Sequence, residues 1–515
     1  MDPATTATEG YCVLRLQTDP SFLDSYSTLQ VVLILGAVAV AGLAVAAVAF
    51  RIRSRWLLAA TLVLGVLQLF GPFGFTSAGL LATCTLLPAA FWRTRDELRD
   101  LRSPATIWAL LLAALAAWQV VSVLWSAKVG AAGYGVIFSV ALLTAFLLAR
   151  DVARSDAGGM SIALGAAAPV VIVWAAAAVL FRLWPEAEGA YLLSPVARLF
   201  SEPDVALITE NEINIAIDPI GTLGVFSDVA VPPGSAGGLL AGLFDSTTLT
   251  NFQNVLDPAK SGGVFLNGNT ASLFFAVAAC AAVWGIASGR LRVLHAVTAL
   301  ASIAAIVATG SKTALVLLVA LPVLALYVAF TARRPKQGAI VGGAAVVIGI
   351  AGSVAVLLWK PHLVTSGTLN DRFVLWRMVA ESFPGTWFTG FGFGNWREHI
   401  VDVWPRYFPN VATQIWPPHN LLLQAWVDAG LIALVLTIAL IVVSTVGAVR
   451  RFGDGRDEPL FGSDTVRRGA VLVGLLWILL HGMADTTFFA GDNHTLPFAA
   501  VFTALALTPS RKATA

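Results

Sequence analysis

Chemistry in a chain this apolar is confined to the places where polar residues interrupt the hydrophobic stretches, and three short islands qualify. The first, KSGGVFLNGN, runs from Lys260 to Asn269; its small residues permit close backbone approach, and Asn267 and Asn269 offer amide donors. The second, TGSKT at 309–313, holds Lys312 in a very short turn near an apolar boundary. The third, WPPHN at 416–420, sets the imidazole of His419 and the amide of Asn420 at the first turn of the next apolar segment, where a helix start also favours an anion. Imidazole suits general-base work near neutrality, and lysine or arginine stabilises charge developing on a phosphate. Together these residue types fit transfer from a phosphate leaving group. Each island also has a plain structural reading: a helix-start turn, a snorkelling lysine, and a capping or interfacial histidine. Residue type alone leaves both readings open.

The elements that carry these islands follow from composition. With 57% hydrophobic and 12% charged residues over 515 positions, and a mean hydropathy of +0.80, the chain is too apolar for a soluble domain. We expect an all-α polytopic membrane protein. Segments near 29–50, 56–73, 76–92, 104–125, 132–149, 160–183, 264–288, 293–309, 313–331, 338–358, 420–449, 469–487 and 494–509 approach the roughly 20 apolar residues that a helical span needs. That predicts about 12–13 transmembrane helices. The chain divides into a polar N-terminal segment, 1–28, a single membrane domain, 29–509, and a short tail, 510–515. The first residues lack the basic and apolar regions of a secretory signal, so insertion is expected to rely on the spans themselves.

Basic clusters at 51–55, 93–102, 150–154, 290–292, 332–336, 450–451 and 511–512 all fall on one side of this topology, which makes that side cytoplasmic. Two long loops, 184–263 and 359–419, then lie on the outer side, as do all three islands. The first loop is acidic and punctuated by proline and glycine, as a lid or entry surface would be. The second mixes Arg372, Arg377, Arg397 and Arg406 with Trp376, Trp387, Trp396 and Trp404, a combination suited to lipid headgroups. Within it Asn370 is a candidate cap for a short helix with Phe373, Trp376 and Ala380 on one face, lying in the interface plane. A net charge of +2 gives no reason to expect nucleic acid as a partner. The three cysteines, Cys12, Cys84 and Cys280, do not form a disulfide or metal framework. His362, His399, His419 and His494 lack metal-ligand spacing, so no metal or other cofactor is expected.

Over roughly 255–450 the sequence resembles the O-antigen ligase and Wzy-type polymerase superfamily. KSGGVFLNGNTAS is similar to the family's G-x-F-x-N-x-N segment, TGSKTALVLL to its T-x-S-R-x-A-x-L turn, DRFVLWRMVAESFPGTWFTGFGFGNW to its R-x-x-x-W helix followed by G-x-G-x-G, and HNLLLQAWVDAGLIA to its His-Asn-x9-Gly motif. The four occur in the family's order and spacing. The resemblance implies a membrane glycosyltransferase of GT-C-like architecture in the bacterial cytoplasmic membrane, with its active site facing the periplasm or exterior. It would take a glycan from a polyprenyl (undecaprenyl) pyrophosphate carrier and join it, with inversion and without a metal, to a hydroxyl on a glycan or lipid-linked acceptor. By position His419 would be the base and Arg372 a pyrophosphate ligand, with Lys312, Lys260, Asn420, Asn267 and Asn269 nearby. Lys312 and Lys260 stand where the family usually has arginine, and lysine supplies a point charge without a bidentate fork.

A proton-coupled secondary transporter is the main alternative, because His481 and Asp485 share a helix face and Asp428 sits within another span. Against it, no matched pair of broken helices is evident in two halves, and the same residues serve equally as interhelical contacts. A flippase or lipid-binding scaffold would use the loops without chemistry. Within the enzyme reading, the sequence does not separate ligase, polymerase and protein O-oligosaccharyltransferase.

Overall fold

A computed structural model describes residues 28–69, 77–127, 129–156, 158–184, 187–188, 191, 196–200, 260–265, 268–359, 368–408, 417–454, 457–484 and 494–508. Asn267, His362, Trp416 and Asp485, most of the acidic loop and both chain ends lie outside the described residues.

The described residues of the protein form helices of eight residues or more at α1 (Thr28–Ala49), α2 (Ser54–Leu67), α3 (Ala78–Thr85), α4 (Leu87–Leu98), α5 (Pro104–Ser122), α6 (Val129–Ser155), α7 (Gly159–Leu183), α8 (Gly268–Ser288), α9 (Arg292–Ala308), α10 (Lys312–Arg333), α11 (Pro335–Trp359), α12 (Thr368–Ser382), α13 (Trp396–Tyr407), α14 (Leu421–Gly453), α15 (Ser463–Gly482) and α16 (Leu496–Leu507). Seven segments among them are long and apolar enough to cross a membrane: Pro104–Trp125, Gly135–Ser155, Gly159–Leu183, Gly268–Ser288, Lys312–Arg333, Leu421–Gly453 and Ser463–Gly482. Shorter apolar helices occur at Gly36–Ala49, Ser54–Leu67, Arg292–Ala308 and Leu496–Leu507. The protein is an all-α polytopic membrane protein. The stretch expected to span at 76–92 is two helices, α3 and α4, because Pro88 has no N–H for the Cys84 carbonyl and the chain turns at Leu86.

Lipid tails supply no hydrophobic drive between helices, so close packing of small residues and a few polar contacts must hold the bundle. Helix α8 is buried along nearly its whole length and packs against α7, α9 and α15; α16, buried throughout, lies against α6, α14 and α15. Gly474 of α15 lets the Phe502 ring of α16 close in, since a Cβ there would sit 2.4 Å from it. Between α7 and α9, Ser161 Oγ meets His295 Nε2 at 3.1 Å. Apolar side chains on α1, α9, α10 and α11, including Leu43, Leu300, Val319 and Ile340, face outward, as lipid contact requires.

Several basic clusters meet at one end of the bundle. Arg55 pairs with Asp156 at 3.2 Å, and Arg150 and Arg154 both reach Glu97, at 3.1 and 2.9 Å. Arg93 donates to Ser54 at 2.6 Å, and Ser161 Oγ donates to the Arg290 carbonyl at 3.2 Å.

The longest helix, α14, is broken where Gly430 takes φ 74° and ψ −166°, a conformation essentially closed to residues with a Cβ. A Cβ there would lie 1.8 Å from the Phe388 carbonyl oxygen. The Gly430→Ala variant is therefore expected to lose roughly 2–3 kcal/mol or more, read as a lower unfolding temperature of the purified protein. Gly453→Ala, with nothing within 4 Å of the added methyl, serves as the control; equal stability of the two variants would show that the break tolerates a side chain.

Candidate functional site

The His419 turn is built from its own rigid residues. His419 itself has φ 47°, a left-handed conformation that costs a non-glycine residue energy and persists only when its surroundings enforce it. Asn420, extended at φ −157°, caps α14: its Oδ1 accepts from the amides of Leu422 and Leu423 at 3.0 and 3.1 Å. Its Nδ2 donates to the Met483 carbonyl at 3.3 Å, tying the turn to the end of α15. Asn420 thus uses both ends of its amide to hold the half-buried His419 at a helix N-terminus.

Arg372 reaches the same place through its helix. It lies in the first turn of α12, one helical turn before Trp376, whose indole Nε1 donates to the Pro418 carbonyl at 2.9 Å. The face of α12 that carries Arg372 is therefore docked beside the residue preceding His419. The Arg372 Nε is buried and has no hydrogen-bond partner among the described residues. A guanidinium donor in that state is matched by an incoming acceptor such as a phosphate oxygen. Along the adjoining face of α12, Leu375, Met378 and Val379 pack against Trp396, Ile400 and Trp404 of α13 and Val427 of α14, leaving Phe373 and Ala380 exposed. Asp371, next to Arg372, has its carboxyl held above the ordinary carboxylate range by burial.

The first two islands join each other. Asn269 Oδ1 accepts from Ser311 Oγ at 3.0 Å, and Ser311 in turn caps α10 by accepting from the Ala314 amide. Gly268 lies against the Thr309 carbonyl so closely that a Cβ would be 2.8 Å from it, with the Lys260 Cβ 3.8 Å away. Lys260 is half-buried, and Lys312 is exposed at the first position of α10. Two residues of the acidic loop hold this assembly from behind. The Glu188 carboxylate accepts from the Gly262 amide at 2.9 Å and from Ser261 Oγ at 3.4 Å, and the Tyr191 hydroxyl donates to the Val264 carbonyl at 3.3 Å.

The structure therefore gathers the predicted residues into two groups: His419, Asn420 and Arg372 in one, and Lys260, Asn269 and Lys312 in the other. Helix α15 packs against α8, α10 and α14, the helices that start beside Asn269, Lys312 and Asn420. His481, buried in α15, lies two residues before Met483, the Asn420 anchor; its expected partner Asp485 is outside the described residues, as is Asn267. Among the described residues no group of three or more His, Cys, Asp or Glu side chains is placed to hold a metal ion. Glu188 and the docking role of Trp376 are not legible in sequence, where one is an acid among many in its loop and the other a tryptophan in an aromatic-rich segment.

Burial pushes the Glu188 carboxyl up to about 7, against the opposing pull of its hydrogen bonds from Gly262, Gly263 and Ser261. An acid whose folded pKa is raised binds its proton more tightly in the fold, so the contribution to stability is greatest below the ordinary value of 4.5 and declines until about pH 7. Wild type should lose unfolding temperature relative to Glu188→Gln between pH 4.5 and pH 7; parallel profiles for the two proteins would show that burial does not perturb this group.

Comparison with known proteins agrees with the geometry. No curated protein matches the chain. The family model described as O-antigen ligase matches residues 297–438. That stretch runs from α9 past the break in α14, and contains the Lys312 turn, Arg372, the glycine-rich loop and the His419-Asn420 cap. Lys260 and Asn269 precede it. Over residues 297–438 the chain is similar to the O-antigen ligase family.

Proposed function

We propose that the protein transfers a glycan from a polyprenyl pyrophosphate carrier, undecaprenyl pyrophosphate in bacteria, to an acceptor hydroxyl on the outer side of the cytoplasmic membrane. The O-antigen ligase domain supports glycan transfer of the ligase or polymerase type. The observation that supports the finer reading is the docking of α12 on the His419 turn through Trp376 and Pro418: Arg372, one turn before Trp376 on that helix, has a buried Nε without a partner among the described residues, and His419 has a left-handed backbone.

In this reading His419 accepts the proton of the acceptor hydroxyl while that oxygen attacks the anomeric carbon. The anomeric carbon–oxygen bond to the carrier breaks, and its electron pair leaves with the pyrophosphate. A single in-line displacement inverts the anomeric centre. Arg372, Lys312 and Lys260 stabilise the charge that develops on the leaving group, the role a divalent ion fills in other transferases. Asn420 holds the imidazole, Asn269 shapes the turn that presents the lysines, and Asn267 is a further candidate ligand of the donor. The clustering of basic segments at one end of the bundle supports an arrangement with that end in the cytoplasm and the site at the periplasmic or exterior face. The exposed Phe373 face of α12 fits the headgroup layer there, where the lipid-linked donor enters. The acceptor is a glycan or lipid-linked hydroxyl; a protein acceptor is the variant reading.

The test is incubation of purified protein with a polyprenyl-pyrophosphate oligosaccharide and separate glycan, lipid and peptide acceptors. His419→Ala is expected to lower transfer by about 100-fold or more while remaining folded. Arg372→Ala should raise the KM for the carrier, whereas Cys280→Ala, buried in α8, should leave transfer unchanged. Wild-type turnover by His419→Ala would remove the proposed base. Absence of transfer to any acceptor, together with pH-driven solute uptake in liposomes, would replace the enzyme with a transporter.

A further inference from the structure

The glycine-rich loop 385–395 and the break in α14 satisfy one another. At the break, Phe391 N donates to the Val427 carbonyl at 2.8 Å and Leu431 N to the Phe388 carbonyl at 3.1 Å. Gly390 and Gly392 take positive φ of 67° and 87°; a Cβ on Gly390 would lie 2.7 Å from both Gly430 N and the Val427 carbonyl. Helix α5 and the 3-10 turn that follows it, Val123–Trp125, supply a third side: Trp118 Nε1 donates to the Ala429 carbonyl at 2.6 Å and Trp125 Nε1 to the Thr389 carbonyl at 3.1 Å.

One charged side chain ties the loop to the helix. Asp428, 2% exposed, accepts from the Gly394 amide at 3.1 Å through Oδ1 and from Gln424 Nε2 at 2.7 Å through Oδ2. The loop it holds is the direct continuation of α12, which carries Arg372 and Trp376. Helix α12 is thus fixed at two points, by Trp376 on Pro418 at one end and by the clamped loop at the other. Both points, Pro418 and Asp428, belong to the segment that carries His419.

We infer that Asp428 is a positioning residue for the glycan transfer proposed above: its carboxylate clamps the Gly394 amide and so sets where the Arg372 helix stands over His419. This rests on the transfer reading for its consequence, although the clamp itself does not. A carboxylate, rather than any buried polar group, is not essential to the geometry. Gln424 Oε1 has no partner among the described residues, so in Asp428→Asn the Gln424 amide inverts, presents Oε1 to the new NH2, and leaves the Asn oxygen for Gly394 N. Asp428→Ala has no such remedy. It leaves the Gly394 amide without its acceptor and Gln424 without its bond.

The experiment pairs hydrogen exchange with kinetics on full-length protein in nanodiscs, using wild type, Asp428→Ala and Asp428→Asn. In Asp428→Ala, exchange over 386–395 should rise by about tenfold or more, the cost of leaving a buried amide without its acceptor, and spread into α12. The kcat for transfer should fall by a similar factor, with a smaller change in carrier KM. Asp428→Asn should restore both. Raised exchange with unchanged kcat would sever the clamp from the active site, and unchanged exchange would refute the clamp. Failure of Asp428→Asn to restore would overturn the positioning role in favour of the charge itself. Wild type without transfer activity would defeat the functional reading, and the exchange arm would still decide the clamp. If Asp428→Ala does not yield folded protein, Gln424→Leu, which removes one of the two donors, should raise exchange over 386–395 to a lesser degree; wild-type exchange in that variant would overturn the proposal.

Discussion

A helix interrupted within a membrane bundle leaves backbone donors and acceptors that lipid cannot satisfy, and each unsatisfied group costs several kcal/mol. The break at Ala429 and Gly430 imposes that constraint on this protein. The amide of Leu431 and the carbonyl of Val427 find their partners on the loop at 388–391, and the Ala429 carbonyl finds its partner in Trp118 of α5. The glycine-rich loop is thereby drawn down onto the membrane helix. Its position is dictated by hydrogen bonds that have no alternative in a low-dielectric setting, which is a stronger constraint than the same bonds would exert in water.

The site inherits its geometry from that arrangement. Helix α12 ends in the anchored loop and α14 starts with the Asn420 cap, so the helix of Arg372 and the turn of His419 come from two segments separated by the whole of α13 and the residues that follow. Trp376 closes the approach through Pro418. The second group is organised differently. There the cap of α10 and the start of α8 share the Asn269–Ser311 bond, and Glu188 supports the strand of backbone at 261–263 from the acidic loop. One group presents an imidazole and a planar guanidinium; the other presents two lysines. Helices α8, α10 and α14, which start beside Asn269, Lys312 and Asn420, all pack on α15.

The charged end of the bundle is built on different physics. Arg150 is almost fully buried and paired with Glu97, which also takes Arg154, so the carboxylate holds two guanidinium groups near the end of α6. Such pairs matter because breaking one leaves an uncompensated charge, rather than for the net stability they add. They register α2, α4, α6 and α7 at that end, while the glycine-rich loop and the caps do so at the other.

The amino-acid sequence by itself determined the class, the helical content and the identity of the chemical groups. Hydropathy over windows of roughly 20 residues reports burial in lipid directly, and His419, Arg372, Lys312 and the glycine motif were visible as polar interruptions and as family motifs. Their grouping was not visible. Nothing in residue spacing joins Asn269 to Ser311 or Trp376 to Pro418, because contacts between helices depend on packing, which has no fixed period in sequence. The expected span at 76–92 became two helices through one missing N–H at Pro88. Asp428 read in sequence as an intramembrane acid, open to a proton relay; only the tertiary structure placed Gly394 and Gln424 on its two oxygens. Likewise the glycines at 390, 392 and 430 read as a motif, and their reason emerged only when loop and broken helix were seen to approach within a distance that excludes a side chain.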